Sequence, residues 1–169
     1  MGLWRAIDSE NLVATVRGRF EEMTSPAFAE VVATFPNLPF VLEHLGGFTY
    51  SGSGFGSASG FDRFLALSRF PNVHTMWSCF YRYGATSFPY RAADPYLAES
   101  LAAFGAARLV WSGDWNRFEQ GRGDGPDDYR NARTHVSTLS FVGAEELGQI
   151  LGGTARSLYR LTEVRPHQH

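Results

Sequence analysis

The sequence predicts an α/β fold in which parallel strands alternate with helices. Four short apolar runs, bounded by turn-forming residues and rich in Val, Phe and Trp, have the character of buried strands: residues 11–17, 38–44, 73–79 and 108–112. Amphipathic helix patterns lie between these runs. Near-continuous apolar strands separated by such helices are typical of a parallel sheet that helices cover.

The helix before the second strand has the clearest local signals. Ser25 suits the N-cap position and Pro26 the first helical position. The apolar residues that follow recur at helical spacing on one face: Phe28, Val31, Val32 and Phe35. Residues 36–37, Pro-Asn, end this helix. The signals therefore predict a helix over about 26–35.

Three further helical segments complete the pattern. One is predicted over 61–70 and ends at the Pro-Asn of 71–72, and another over 95–104 ends at Gly105, a suitable C-terminal cap. The stretch 143–161 is predicted as two helices interrupted at 152–153, Gly-Gly. The chain thus contains successive helix–strand units of about 30 residues each.

Length and composition set the class of protein. The 169 residues, 44% hydrophobic and 19% charged, suit one globular domain over 1–161, followed by a flexible tail at 162–169. A net charge of −2 gives no attraction toward nucleic acid or an anionic membrane. Cys79 is the one cysteine, and no apolar run approaches the roughly 20 residues of a membrane span, so we expect a cytoplasmic protein.

Two polar residues stand where predicted strands end. Asp114 follows the 108–112 run, and His44 closes the 38–44 run. The carboxyl ends of parallel strands share one edge of a sheet, where active-site loops lie. A carboxylate there can act as a general base, and a neutral imidazole can contact a metal or a substrate oxygen. Each residue could instead be a structural turn or strand-closing residue.

The order of several motifs resembles the amidohydrolase-related family of TIM-barrel hydrolases, lactonases and decarboxylases. The motifs are FPNLPFVLEHLGG at 35–47, FPNV at 70–73, FGAARLVWSGDW at 104–115 and ILGGTARSLY at 150–159. The resemblance covers about residues 3–161. It implies the C-terminal half of a (β/α)8 barrel, made of the last four strand–helix units.

The resemblance also implies roles for the two strand-end residues. Asp114 matches the last-strand aspartate, which binds metal or takes a proton from the attacking water, and His44 matches the sixth-strand histidine beside metal or substrate. Both are therefore candidate catalytic residues and metal ligands, and the implied cofactor is a divalent metal, zinc or manganese. The His-x-His pair that helps bind the family's metal occurs here only in the tail, at 167–169.

Several residues are candidates for substrate contact: Arg17, Trp77, Tyr81, Arg82 and Trp115. A guanidinium can hold a carboxylate through two hydrogen bonds, although Arg17 could equally form a surface ion pair. The aromatic cluster could line a pocket or belong to the core.

Four other polar residues are interpreted as structural. Glu43 is expected to face away from His44, because successive strand residues alternate between faces. Cys79 is interpreted as a small buried hydrophobic residue. His74, at a strand start, and His135, on a helix, are not expected to take part in catalysis.

Two functions remain open at this stage. The first is an amidohydrolase-like hydrolase that cleaves a C–O or C–N bond of a small cyclic or carboxylated substrate, with Asp114 as base. The second is a non-catalytic truncated remnant or ligand-binding subunit. Half a barrel leaves one sheet face and both edges uncovered, so we expect a homodimer or a complex with a separate N-terminal half-barrel. We expect no nucleic-acid or membrane partner.

Overall fold

The computed structural model describes residues 1–50, 60–84, 87–114 and 127–162. Within these ranges the strands are β1 (Ala14–Val16), β2 (Phe40–Leu42), β3 (Val73–Trp77) and β4 (Leu109–Trp111). They form one parallel sheet in the order β1-β2-β3-β4. Every strand falls inside a predicted apolar run, so the predicted α/β fold with parallel strands is confirmed.

Helices connect and follow these strands. They are α1 (Gly2–Ser9), α2 (Phe20–Met23), α3 (Pro26–Thr34), α4 (Phe61–Leu65), α5 (Asp94–Phe104), α6 (Asp127–Ser137), α7 (Ala144–Gly148) and α8 (Thr154–Leu158). The start of α3 is as predicted, since the Ser25 hydroxyl accepts a hydrogen bond from the Phe28 amide at 3.1 Å. Among the described helices, none is both long and apolar enough to cross a membrane.

Two predicted helical segments differ in detail. The 61–70 segment tightens after α4 into a 3-10 turn, Ala66–Arg69. The predicted interruption at 152–153 is wrong, because a π-helical turn, Gln149–Gly153, carries the chain from α7 into α8. Ile150 is fully buried and the Thr154 hydroxyl donates to the Ala106 carbonyl at 2.9 Å, so packing holds the glycines in helical geometry.

The core lies between the helices and one face of the sheet. Phe40, Leu42, Val73, Trp77 and Leu109 belong to this core and are all fully buried. Strand alternation sends five other strand residues to the opposite face: Thr15, Val41, His74, Met76 and Val110. Val41 has no exposed surface and Val110 is 5% exposed, so the two valines of this second face are already buried.

Side chains brace the end of the sheet where the strands begin. The Asn72 side-chain amide donates to the carbonyls of Phe35 and Leu38, at 2.9 and 3.1 Å. The Arg108 guanidinium donates to the carbonyls of Ser68 and Phe70, at 2.9 and 3.0 Å. These bonds satisfy backbone groups that the loops leave unpaired. The polar motif residues at this end are therefore structural.

Candidate active site

Three side chains meet where β2, β3 and β4 end. His44, Cys79 and Asp114 each offer a donor atom, and these atoms all lie within 4.8 Å of one another. The Cys79 Sγ is 2.7 Å from Asp114 Oδ2 and 3.8 Å from His44 Nε2. The two strand-end residues singled out by the sequence thus lie together at the edge of the sheet where the strands end, which we call the mouth.

A left-handed backbone conformation orients these three side chains toward one another. His44, Cys79 and Asp114 have φ values of 53°, 53° and 51°, in the left-handed region. An uninterrupted strand would send residues 44 and 79 to the helix-covered face occupied by Leu42 and Trp77. The left-handed geometry turns them toward the mouth instead. It costs about 1–2 kcal/mol for each non-glycine residue, and such strain clusters at functional sites.

His44 opens a left-handed turn that extends over His44–Gly47. The two glycines at its end, Gly46 and Gly47, are sterically required. A Cβ on Gly46 would lie 2.8 Å from the Phe64 ring, and one on Gly47 would lie 2.6 Å from the Gly18 carbonyl oxygen. The Gly-Gly of the HLGG motif therefore allows the close approach that places the histidine.

The His44 ring is buried and held at both nitrogens. Nδ1 lies 2.7 Å from the Ser78 hydroxyl, and Nε2 faces Cys79. Burial lowers the pKa of His44 to about 4; the nearby Asp114 carboxylate opposes this shift, and Arg82 and Arg17 add to it. The ring is therefore neutral at physiological pH. A proton on Nδ1, donated to Ser78, leaves a lone pair on Nε2 toward the cluster.

Cys79 is more than the small hydrophobic residue that the sequence suggested. Its thiol donates to Asp114, and burial together with that carboxylate raises the pKa of Cys79 to about 12. It is thus a protonated thiol, not a nucleophilic thiolate. A sequence signal existed: Cys79 follows β3 at the same two-residue interval by which His44 follows β2.

Glu43 does not face away from His44 as expected. Its Oε2 lies 3.6 Å from His44 Nε2 and 3.9 Å from Arg17 Nε. The expectation is wrong because the left-handed backbone at His44 ends the strand alternation. The Arg17 side chain is 67% exposed, and its ion pair with Glu43 is its link to the cluster. Such an exposed ion pair contributes little to stability.

The pocket-lining role expected for Trp77 is wrong. This residue has no exposed surface, and its indole N–H donates to the Ser100 hydroxyl on α5 at 2.8 Å. Position 77 falls on the strand face that packs against helices, so the indole belongs to the core.

Two other substrate-contact candidates lie beside the cluster: Tyr81 forms a side-chain hydrogen bond with Cys79, and the charge of Arg82 acts on Cys79 and His44. The Arg82 guanidinium donates to the carbonyls of Gly47 and Phe48, at 3.0 and 3.2 Å, and so braces the end of the left-handed turn. Tyr81 is 39% exposed. Trp115 lies outside the described residues.

A cleft of about 400 Å³ opens beside the left-handed turn. Three arginines line it, Arg19, Arg63 and Arg82, against one carboxylate, Glu21. Arg19 is paired with Glu22 at 2.6 Å, so Arg63 and Arg82 are the cations left to face a ligand. Arg63 stacks over the Phe20 ring at 5.2 Å, which fixes its guanidinium at the wall. Guanidinium groups bind carboxylates in planar, two-point geometry, so the cleft suits an anionic ligand.

Acid should destabilise the metal-free protein. His44 has a pKa of about 4 when folded and about 6.5 when unfolded, so only the unfolded chain gains a proton as the pH falls between them. This group alone should remove about 2 kcal/mol between pH 7 and pH 5. Burial also lowers the pKa of His74 and of His135, so these groups add to the loss of stability in acid.

Urea denaturation with a chelator present measures this effect. A His44→Gln variant should lose less stability over the same range, because His74 and His135 are then the histidines whose pKa burial still lowers. Equal free energies of unfolding at pH 7 and pH 5 for the unmodified chain would contradict the expectation.

The site residues lie in segments that match a known family. The family model described as Amidohydrolase matches residues 3–161. The chain belongs to the amidohydrolase family. No curated protein matches it at a significant level.

Solved structures share the amidohydrolase fold with this chain. A zinc-bound amidohydrolase from Burkholderia multivorans is 21% identical with a TM-score of 0.76, and the match covers 94% of this chain and 56% of that one. A candidate 2-pyrone-4,6-dicarboxylic acid hydrolase from Pseudomonas putida is 22% identical, with a TM-score of 0.74 and coverage of 94% and 55%.

A third similar structure was solved with citric acid bound. It is a probable 2-pyrone-4,6-dicarboxylic acid hydrolase from Acinetobacter baumannii, 17% identical with a TM-score of 0.74, and the match covers 95% of this chain and 57% of that one. The amidohydrolase chain described here therefore spans just over half the length of these relatives. Its four-stranded parallel sheet is part of a TIM-barrel fold.

The clustered donor atoms suit a zinc ion. Imidazole nitrogen, cysteine sulfur and carboxylate oxygen are all common zinc ligands, and tetrahedral coordination places neighbouring ligand atoms about 3.3–3.6 Å apart. The 3.8 Å between Cys79 Sγ and His44 Nε2 is close to that spacing. The 2.7 Å contact between Cys79 and Asp114 would have to lengthen once its proton leaves.

Proposed function

We propose that this chain carries part of the active site of a hydrolase that cleaves a C–O or C–N bond in a small, cyclic or carboxylated substrate. The observation that carries the proposal is the convergence of His44 and Asp114 at the carboxyl end of a parallel sheet. In TIM barrels this end bears the catalytic residues.

Asp114 is proposed as the general base. Its Oδ2 already accepts a proton donor, the Cys79 thiol, so the carboxylate is placed to hold a hydrogen bond from an attacking water. His44, neutral and fixed by Ser78, lies beside the same thiol, with Nε2 3.8 Å from the sulfur, and would bind a metal or a substrate oxygen. A divalent metal bound here would polarise the substrate carbonyl and acidify water.

The arginine-lined cleft supports a carboxylated substrate. It adjoins the turn that begins at His44, and Arg82 serves both features by lining the cleft and bonding to the turn. Relatives of similar fold are named for 2-pyrone-4,6-dicarboxylic acid or hold citric acid, both polycarboxylates. We propose that a substrate carboxylate binds at Arg63 while the bond to be cleaved lies toward Asp114.

Hydrolysis of 2-pyrone-4,6-dicarboxylate, compared with that of the uncharged, unsubstituted 2-pyrone, tests the proposal. The purified chain is assayed by loss of the pyrone absorbance, with zinc, with manganese and with a chelator. Metal-stimulated turnover that favours the dicarboxylate is expected, and Arg63→Gln should raise KM more than it lowers kcat. No turnover of either ester under any of these conditions would overturn the enzyme assignment for this chain alone.

The arginine-lined cleft would also serve a second candidate, a ligand-binding subunit without catalysis, because binding an anion there requires no reaction. Calorimetry combined with the turnover assay distinguishes the two candidate functions. Calorimetric binding of the dicarboxylate with no turnover would support the binding subunit, whereas binding with turnover would support the hydrolase.

We also propose that the chain associates, either with itself or with a separate N-terminal half-barrel. Half of a barrel leaves its sheet edges unpaired, and unpaired edges promote association. Light scattering of the purified chain at micromolar concentration should therefore give a mass above the 18.8 kDa of one chain. A monodisperse monomer with no bound partner would contradict this proposal.

A further inference from the structure

We infer that Cys79 is a metal ligand, and that His44 Nε2, Cys79 Sγ and the Asp114 carboxylate form a three-residue site selective for zinc over manganese. The inference rests on the proposed function only in placing the metal at the same mouth. It goes further by assigning a thiolate to the ligand set and by choosing between the two metals.

The three residues come from three adjacent strands at nearly equivalent positions. His44 and Cys79 lie two residues after β2 and β3, and Asp114 lies three residues after β4. All three have the same left-handed φ. Convergence of three strained residues on one point is what a ligand set requires.

The imidazole is oriented as a metal-binding histidine is. Metal-bound histidines usually donate their second ring N–H to an oxygen, which fixes the ring and the tautomer. Here Nδ1 lies 2.7 Å from the Ser78 hydroxyl, and the Ser78 carbonyl in turn accepts from the Tyr83 hydroxyl at 3.0 Å. Ser78 is thus fixed in place, and Nε2 is directed at Cys79 and the mouth.

The sulfur sets the metal preference. Thiolate binds zinc well, whereas manganese prefers carboxylate, carbonyl and water oxygens. Three protein ligands are also the number that catalytic zinc sites use, leaving one position open. Binding would release the thiol proton to solvent and form the zinc–sulfur bond, after which Asp114 no longer accepts from Cys79.

Cobalt(II) substitutes for zinc and is coloured, so its absorption spectrum shows directly whether sulfur is one of the metal ligands. Titration of the full chain should give an intense near-ultraviolet charge-transfer band that only a thiolate–cobalt bond produces. Cys79→Ser retains a hydroxyl at the same place but should lose this band. It should also lower zinc affinity more than about 100-fold, beyond the 10–100-fold typical of an outer-sphere change. Manganese affinity should change far less.

The control variant is Ser137→Ala, an exposed hydroxyl at the end of α6 that bonds only locally to the Arg133 carbonyl. It should leave the band and both affinities unchanged. Circular dichroism and urea denaturation of each variant confirm that the fold is retained. If Cys79→Ser fails to fold, alkylation of Cys79 protected by zinc but not by manganese replaces it as the test.

Two outcomes would overturn the inference. One is cobalt binding to the unmodified chain without the sulfur band, or equal zinc affinity in Cys79→Ser. The other is the absence of cobalt and zinc binding altogether. Neither outcome decides the proposed function, because hydrolysis and its dependence on Asp114 are measured separately and could proceed with a different ligand set.

Discussion

Replacing Asp114 with Asn should lower kcat/KM for ester hydrolysis by about 1,000-fold, the middle of the range for loss of a general base. Asparagine keeps the shape and can still accept the Cys79 hydrogen bond. It cannot take a proton from water, and it is a weak metal ligand. The expected loss corresponds to about 4 kcal/mol of transition-state stabilisation. Initial rates at saturating metal measure it.

A matched control separates this effect from a general change in charge. Glu145→Gln removes one carboxylate from the exposed first turn of α7, far along the chain from the strand ends. This variant should retain full activity. Metal content of both proteins is measured in parallel, so that loss of metal can be distinguished from loss of the base. Less than a tenfold decrease in Asp114→Asn at full metal content would contradict the assignment of the base.

Replacing Gly47 with Ala should destabilise the fold by about 3 kcal/mol. About 1 kcal/mol comes from placing a Cβ at positive φ, and the rest from overpacking against the Gly18 carbonyl, a backbone atom that has little freedom to move. Urea denaturation measures the change. Because the turn positions His44, the variant should also weaken zinc binding at temperatures where it remains folded.

Gly60→Ala is the control for the backbone conformation. Gly60 also has a positive φ, of 73°, but its added Cβ would meet only the end of the Arg63 side chain, at 3.1 Å, and no backbone atom. This variant should lose about 1 kcal/mol. Equal losses at Gly47 and Gly60 would show that the close approach to Gly18 carries no energetic weight.

The sheet could be predicted from local patterns. Apolar runs bounded by Pro-Asn and Gly contained each strand found in the described residues, and Ser25-Pro26 fixed the start of α3. These signals are local because turn and cap chemistry depends on neighbouring residues. Asp114 and His44 could be singled out as site candidates for the same reason, since each is a polar residue directly after a buried strand.

Other parts of the site depend on tertiary geometry that no local pattern contains. Strand alternation directed Glu43 away from His44, and Cys79 was interpreted as a small hydrophobic residue, but left-handed backbone at His44 and Cys79 brings all three residues together. A positive φ at a histidine or cysteine has no sequence signature comparable to that of glycine. Trp77 was misjudged differently, because aromatic composition alone does not tell which strand face a residue occupies.

The central claim is that the turns after β2, β3 and β4 build one metal-dependent centre. Anomalous X-ray diffraction at the zinc edge, on crystals of the chain grown with zinc, tests it most directly. We predict a peak about 2.0–2.3 Å from His44 Nε2, Cys79 Sγ and an Asp114 oxygen. A strongest peak elsewhere, with the Cys79 thiol still bonded to Asp114, would contradict the claim.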